Sequence, residues 1–177
     1  MNTKERDEQL ATYARAADDV AEALKGFPRT MWAYKPGPER WSIHEILVHL
    51  ADSEANSYVR CRRAVAEPGS VVMAYDEERW AAELHYHDQD PQEALALFRN
   101  LRSTTTSLLR ALPASAWART MQHSERGPLT LDDWLAIYAA HGREHIEQMK
   151  ATHAAWRTAK RGESVAADRS LYAPLKK

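Results

Sequence analysis

The chain has 177 residues, enough for one domain with a single sizeable core. Its 24 Lys and Arg nearly balance its 25 Asp and Glu, so no basic surface is indicated and nucleic acid is a poor candidate partner. No apolar run approaches the roughly 20 residues of a membrane span, so no membrane partner is expected. The polar segment Met1 to Gln9 predicts no signal peptide, and the single Cys61 suits a reducing, cytoplasmic location.

Four long helices are predicted, and the first two have clear end signals. The first covers about residues 4–25 and ends before Gly26, because glycine is the usual residue just after a helix. The second begins after Ser42 and continues to about Ala66. Glu45, three residues after Ser42, completes a capping box at its start.

The other two long helices lie in the second half of the chain. The third begins at Pro91, with Asp90 as its N-cap, and continues to about Ala111. The fourth begins at Thr130 and continues to roughly Trp156. Six glycines and abundant Ala, Leu, Glu and Arg favour helix over sheet. We therefore predict an all-α fold, a four-helix bundle with long crossover loops.

Two connections, over residues 68–89 and 113–129, are long for a compact domain, and loops of this length are often lids or binding walls. The first contains Tyr75 to Trp80, for which one extra helical turn is predicted. Residues 1–157 are expected to form the bundle domain, and residues 158–177 a C-terminal basic tail.

Two histidines lie on the predicted buried face of the fourth helix. His141 and His145 share that face with apolar residues at helical spacing, namely Leu131, Trp134, Leu135, Tyr138 and Met149. Residues four apart lie about 6 Å from each other on one face, so both imidazoles can reach one metal ion. Two core histidines that hydrogen-bond to neighbouring helices are the alternative interpretation.

The second helix offers a third histidine. His49 lies at the edge of the apolar face, in line with the polar residues Ser53, Asn56 and Arg60, as in a helix that lines a cleft. A boundary histidine is the alternative. Three histidine nitrogens leave positions open for water or substrate, which is typical of catalytic metal sites. Imidazole suits zinc, nickel, copper and iron about equally well, so these residues leave the metal's identity open. As the cofactor we expect a divalent metal, zinc or nickel first and manganese or iron next.

Three further residues are candidates for proton transfer, namely His123, Asp52 and Glu144. The run from His141 to His145 also matches the H-x-x-E-H signature of inverted zinc peptidases, in which Glu144 would be the general base. Only 32 residues follow His145, too few for the further acidic ligand and its fold, so this peptidase is excluded. A solvated Glu144 is the alternative interpretation.

The segment Trp41 to Ser53 resembles the second-helix motif of the DinB/YfiT superfamily. The similarity continues through Asn56 to Arg60, Tyr75 to Trp80, His123 to Leu131 and His141 to Ile146, and it covers about residues 5–155. The resemblance implies a bacterial, cytoplasmic four-helix bundle, usually a homodimer, with a metal held by three histidines. The matching positions are His49, His141 and His145.

Three functions are compatible with this resemblance, whose YfiT branch contains candidate metal-dependent hydrolases. The first is a hydrolase. Its metal would lower the pKa of a bound water, and the resulting hydroxide would attack a small-molecule substrate. The second is an S-transferase for a low-molecular-weight thiol of the bacillithiol or mycothiol type, whose carboxylates would need Arg60 or Arg143. The third is a non-catalytic metal-binding stress protein.

Overall fold

The computed structural model describes residues 1–161, which form five α-helices and three short strands. The helices are α1 (Thr3–Leu24), α2 (Ile43–Ala66), α3 (Glu77–Glu83), α4 (Pro91–Arg110) and α5 (Leu131–Lys160). The strands are β1 (Val71–Val72), β2 (Thr120–His123) and β3 (Gly127–Thr130). Short 3-10 helices cover Arg29–Met31, Tyr86–Asp88 and Ala114–Ala118. The four long helices α1, α2, α4 and α5 confirm the predicted all-α bundle.

The helix starts follow the capping residues of the sequence. Ser42 and Glu45 form the expected capping box before α2, and Asp90 accepts hydrogen bonds from the first turn of α4. Thr130 caps α5 in a capping box of its own with Asp133. These side chains satisfy backbone N–H groups that have no partner within the helix, which fixes where each helix begins.

The order of the helices around the bundle differs from their order in the chain. Helix α1 packs against α5 and α4, and α2 packs against α4 and α5. Helices α1 and α2 therefore occupy opposite corners, and so do α4 and α5. The connections between these diagonal pairs must cross an end of the bundle, which explains why the segment between α4 and α5 is long. That segment supplies one wall of the cavity described below.

A small sheet, which the sequence analysis did not predict, occupies the long connections. Strand β1 pairs in parallel with β2, and β2 pairs antiparallel with β3. Gly127 has a φ of 73° at the start of β3, a conformation that favours glycine. Each strand has four residues or fewer, so the alternation that marks a strand in sequence is too short to detect.

Two other features of the connections and ends can be compared with expectation. The extra helical turn predicted near Tyr75 to Trp80 is α3, which begins after Asp76 as its N-cap. Helix α5 continues to Lys160, four residues beyond the expected end at Trp156. Of the expected C-terminal tail, residues 162–177 lie outside the described residues. Within residues 1–161, no helix is long and apolar enough to cross a membrane.

A buried polar network ties the four long helices together. Arg102 of α4 donates to Glu54 of α2 at 2.8 Å, and both side chains are almost fully buried. Arg102 also donates to the carbonyl oxygens of Tyr13 in α1 and Tyr138 in α5. The Tyr13 hydroxyl donates to Glu54. Every long helix therefore contributes to the network, which fixes their relative positions at mid-bundle.

Candidate metal centre

The three predicted histidines meet in the core between α2 and α5. The Nε2 atom of His141 lies 3.4 Å from Nε2 of His49 and 3.0 Å from Nε2 of His145. All three offer one nitrogen within 4.8 Å of the others. His141 and His145 share one face of α5, four residues apart, and His49 approaches from α2, as the sequence patterns predicted.

Burial keeps the three imidazoles neutral. His49 is fully buried, His145 nearly so, and His141 is 9% exposed. Burial lowers the pKa of His49 well below its usual value, and the nearby His145 lowers it further. Burial likewise depresses the pKa of His141, with contributions from His145, His49 and Arg102. Burial lowers the pKa of His145 to about 4, against a hydrogen bond to Gln148 that raises it. At neutral pH the ring lone pairs are therefore free to bind a cation.

The spacing of the cluster fits a metal ion. The Nδ1 atoms of His49 and His141 are buried and have no hydrogen-bond partner among the described residues, so the polar contacts of these two rings are made through Nε2. A tetrahedral zinc site with bonds of about 2.0–2.1 Å separates its nitrogens by about 3.3 Å, close to the observed 3.0 and 3.4 Å.

Two neighbouring side chains orient the rings. The Nδ1 atom of His145 lies 2.8 Å from Oε1 of Gln148, an acceptor, so the Nδ1–H donates and the Nε2 lone pair faces the cluster. The indole of Trp41 lies 4.6 Å from the His49 ring and stacks at 16° on His145. Neither the hydrogen bond with Gln148 nor the stacking of Trp41 was predicted from the sequence. Gln148 could have been found, since it lies three residues after His145 on the same helix.

A cavity of about 370 Å³ adjoins the cluster at His141. Its walls come from α2, α5, the β2–β3 hairpin and the segment before α3, so both long connections contribute, as expected for binding walls. The lining residues include Ser53, Arg60, Tyr75, His123, Trp134 and Tyr138. The predicted polar strip of α2 therefore faces the cavity at Ser53 and Arg60. Asn56 instead donates to the carbonyl oxygen of Asp52.

The three candidates for proton transfer lie in different places. His123 lines the cavity, and its Nδ1 accepts from the backbone N–H groups of Glu125 and Arg126 at 3.3 Å each, so the neutral ring carries its proton on Nε2. Glu144 also lines the cavity but is exposed. Asp52 is not among the lining residues. Its carboxylate accepts a hydrogen bond from the Tyr86 hydroxyl at 2.7 Å, and burial raises its pKa.

Sequence comparisons relate the chain to a known family. Residues 12–149 match the model of the DinB superfamily. YfiT of Bacillus subtilis, provisionally named a metal-dependent hydrolase, is 33% identical over 146 residues, which span 78% of this chain and 81% of that protein. A relative from Oceanobacillus iheyensis with the same provisional description is 36% identical over 106 residues, 60% of this chain and 61% of that protein. The match thus spans less than two thirds of the second relative.

Solved structures share the fold. The structure of Bacillus subtilis YfiT, described as "a probable metal-dependent hydrolase with an unusual four-helix bundle topology", has a TM-score of 0.80 at 24% identity and covers 93% of this chain and 91% of that one. A mycothiol-dependent maleylpyruvate isomerase has a TM-score of 0.66 at 12% identity and covers 84% of this chain and 63% of that one. The family model and the sequence relatives together establish that the chain belongs to the DinB superfamily and resembles its YfiT members.

Proposed function

We propose that this protein binds a divalent metal ion through His49, His141 and His145 and hydrolyses a small molecule in the adjoining cavity. The observation that carries the proposal is the convergence of three neutral, buried imidazole nitrogens, one of them on His141, which lines that cavity. The provisional name of the YfiT relatives, metal-dependent hydrolase, supports it. Three protein ligands leave coordination positions free, which is the pattern of catalytic sites.

The bound metal would supply Lewis-acid chemistry, polarising a substrate carbonyl or lowering the pKa of a water molecule. Around it, this chain's own residues have distinct tasks. Gln148 and Trp41 hold the ligand rings in place. His123 presents its Nε2–H from the cavity wall and can donate a hydrogen bond to negative charge that develops on the substrate. Glu144, at the exposed side of the cavity, can exchange protons with solvent. Asp52 has no part in this proposal, because it does not line the cavity.

We expect zinc or nickel in the site, with manganese and iron as further candidates. Neutral imidazole nitrogen suits zinc, nickel, copper and iron, and among the residues that the structure describes no carboxylate joins the cluster. An all-nitrogen donor set is less suited to manganese, which favours oxygen ligands.

Hydrolysis should depend on the metal and on the cluster. We expect a chelated sample to show no turnover of a panel of p-nitrophenyl esters and p-nitroanilides. Addition of the metal that the wild type binds, which we expect to be zinc or nickel, should restore turnover in wild type but not in His141→Ala. His87→Ala, which removes an exposed histidine, is the control and should also recover. His123→Gln should lower kcat with the metal content unchanged. Equal turnover before and after chelation would contradict the proposal.

A thiol S-transferase is the second candidate function. The observation that favours it is the buried Arg60 on the cavity wall, which could hold a carboxylate of a low-molecular-weight thiol. A bound metal would lower the pKa of the thiol and so favour its thiolate. Consumption of bacillithiol or mycothiol together with a chloro-dinitrobenzene electrophile, without hydrolysis of the ester panel, would favour this function over the hydrolase.

We further infer that the protein is a homodimer in the cytoplasm. Exposed apolar side chains support the dimer, namely Val59 of α2 and Val71 and Met73 of the segment after it. Arg60 and Arg63 of α2 donate to the carbonyls of Met73 and Val71, so that segment lies beside α2. Light scattering of wild type against Met73→Asp tests the dimer. A buried, unpaired Cys61, whose pKa is raised by burial to about 12, suits a reducing compartment.

A further inference from the structure

The cavity contains a buried cation, Arg60, that has no anionic partner among the described residues. Arg60 of α2 is 9% exposed, and none of the carboxylates within residues 1–161 lies within ion-pair distance of its guanidinium. A charge removed from solvent without an opposite charge is costly in free energy. An anionic ligand in the cavity would supply the opposite charge that the described residues do not.

The position of the Arg60 guanidinium is fixed, and part of its hydrogen-bonding capacity is unused. Its Nη1 donates to the Tyr138 hydroxyl at 2.8 Å, and its Nη2 donates to the carbonyl oxygen of Met73. A guanidinium has five N–H groups, so three remain without a partner in the described part of the chain. These two contacts hold the planar group in one orientation, which lowers the entropy lost when it binds a ligand.

Another polar group of the same cavity has no hydrogen-bond partner within residues 1–161. This is the buried indole Nε1–H of Trp134, whereas the neighbouring Tyr75 hydroxyl interacts with the Ser53 side chain. Trp134 and Tyr75 line the cavity beside Arg60. Trp134 and Arg60 can donate hydrogen bonds but cannot accept them. The unused capacity at this end of the cavity therefore belongs mainly to donors, which matches a ligand rich in acceptor atoms.

The charges of the cavity are arranged with the cation inside. Arg60 is buried, whereas the charged groups of Glu125, Arg126 and Glu144 are exposed at the cavity rim, where water and salt screen them, and Glu77 is half-buried. The positive field of Arg60 also reaches His123, whose pKa is lowered by burial first and then by Arg60 and Arg126. An anion that enters the cavity therefore meets its attractive charge at Arg60.

We propose that Arg60 is a specificity-determining residue that binds a carboxylate of the substrate through its free N–H groups, so that the cavity selects small molecules carrying a carboxylate. This inference rests on the proposed function for the identity of the bound molecule as a substrate. Tyr138 separates the two sites: its hydroxyl accepts from Arg60, and its ring lies 6.2 Å from the ring of His141. One small molecule can therefore contact Arg60 and extend to the histidine cluster.

Carboxylate binding can be measured without turnover and without metal. The probes are 4-fluorobenzoate and its neutral analogue 4-fluorobenzamide, followed by ¹⁹F NMR line broadening on the chelated full-length protein. We expect the carboxylate to bind about tenfold or more tightly than the amide, since a charge-assisted hydrogen bond contributes about 1.5–3 kcal/mol. Equal affinity of the two probes, or binding of neither, would overturn the proposal. The proposal would also be overturned if inorganic phosphate displaced 4-fluorobenzoate at a lower concentration than benzoate does.

Variants assign the effect to Arg60. Arg60→Gln should lose the preference for the carboxylate, and Arg60→Met, which keeps the volume without the charge, serves if the first variant does not fold. Arg62→Gln is the matched control, because Arg62 also lies on α2 but bonds to Thr105 outside the cavity. Unchanged binding in a folded Arg60 variant would refute the assignment. Because the protein is chelated, a failure of metal binding or hydrolysis leaves this measurement unaffected, so the two proposals fail separately.

Discussion

The three histidines of the cluster are held in different ways. His145 is fixed by its hydrogen bond to Gln148, and His49 by its contact with the Trp41 indole. His141 packs edge-on against Tyr138, with the two planes at 79°. Among residues 1–161, His145 is therefore the one histidine of the cluster whose Nδ1 has a hydrogen-bond partner. This makes Gln148 the described side chain outside the cluster that controls which nitrogen of His145 carries the proton.

Replacement of Gln148 tests this role. Gln148→Ala removes the acceptor for the His145 Nδ1–H, so the ring can rotate and change tautomer. We expect metal affinity to fall about 10–100-fold, as is common when such a supporting group is lost, while the thermal midpoint of the metal-free protein changes little. Competition with a chromophoric chelator gives the affinity. Glu147→Gln, an exposed neighbour, is the control and should retain wild-type affinity.

The histidine cluster could be predicted from the sequence because its residues lie on helix faces that are marked by regularly spaced apolar residues. His141 and His145 fall on the buried stripe of α5, and His49 falls at the edge of the apolar face of α2. The stacking of Trp41 could not be predicted, because it depends on how the segment before α2 lies across the bundle. The isolation of Asp52 from the cavity depends on the contact with Tyr86 in a connection without periodicity.

At the scale of the elements, the contact between α1 and α5 positions two of the three histidines. The two helices approach closely at Gly142, where an added Cβ would lie 3.0 Å from the Cβ of Ala16. At the start of α5, Arg6 of α1 binds both carboxylate oxygens of Asp132, at 2.7 and 2.8 Å. The N-terminal amine adds an ion pair to the same carboxylate. These contacts set the register of α5 and hence the depth of His141 and His145.

The ion pair between Arg6 and Asp132 predicts a pH dependence of stability. The hydrogen bond from Arg6 lowers the pKa of Asp132 in the folded protein, so its contribution is fully present above the ordinary aspartate pKa of about 3.9 and is lost as pH falls through the lower folded value. Asp132→Asn should therefore reduce the free energy of unfolding by about 1 kcal/mol at pH 7. The difference from wild type should shrink at the lowest pH where the wild type is still folded.

Urea unfolding at the two pH values gives this comparison. Glu147→Gln, which removes an exposed carboxylate from the same helix, should change stability by less than about 0.5 kcal/mol at either pH. A deficit for Asp132→Asn that stays constant or grows as pH falls would show that the carboxylate charge is not the cause.

The elements themselves were predictable where capping chemistry marks their ends, as at Ser42, Asp90 and Thr130. The sheet was not, because β1 has two residues and pairs with β2, which follows about fifty residues later in the chain. A pairing of such separated, short segments leaves no local pattern. The cavity wall formed by the β2–β3 hairpin was therefore visible in sequence only as a long connection.

At the scale of the whole molecule, the diagonal arrangement of the helices makes the buried network central. Arg102 reaches α1, α2 and α5 from α4, and Glu54 is its single carboxylate partner among residues 1–161. The network lies close to the site, because Arg102 donates to the Tyr138 carbonyl while the Tyr138 hydroxyl accepts from Arg60. Bundle geometry and cavity geometry are thus connected through one residue.

A double-mutant cycle tests the network. Arg102→Met leaves Glu54 as a buried carboxylate without a counter-charge, so we expect a loss of about 3–5 kcal/mol in the free energy of unfolding. Combining it with Glu54→Gln removes the stranded charge, so the double variant should be clearly more stable than the sum of the single losses predicts. Urea unfolding of the four proteins gives the coupling. Additive losses would show that the pair contributes no mutual stabilisation.

Metal content decides whether His49, His141 and His145 together hold one divalent metal ion. Wild type, His145→Ala and the exposed control His87→Ala would be purified without chelator, exposed to zinc, nickel, manganese or iron, desalted and analysed by inductively coupled plasma mass spectrometry. We expect about one equivalent of one metal in wild type and in His87→Ala, and only background in folded His145→Ala. The three-histidine metal site would be ruled out if wild type bound no metal under any condition, or if His145→Ala had the same metal content as wild type.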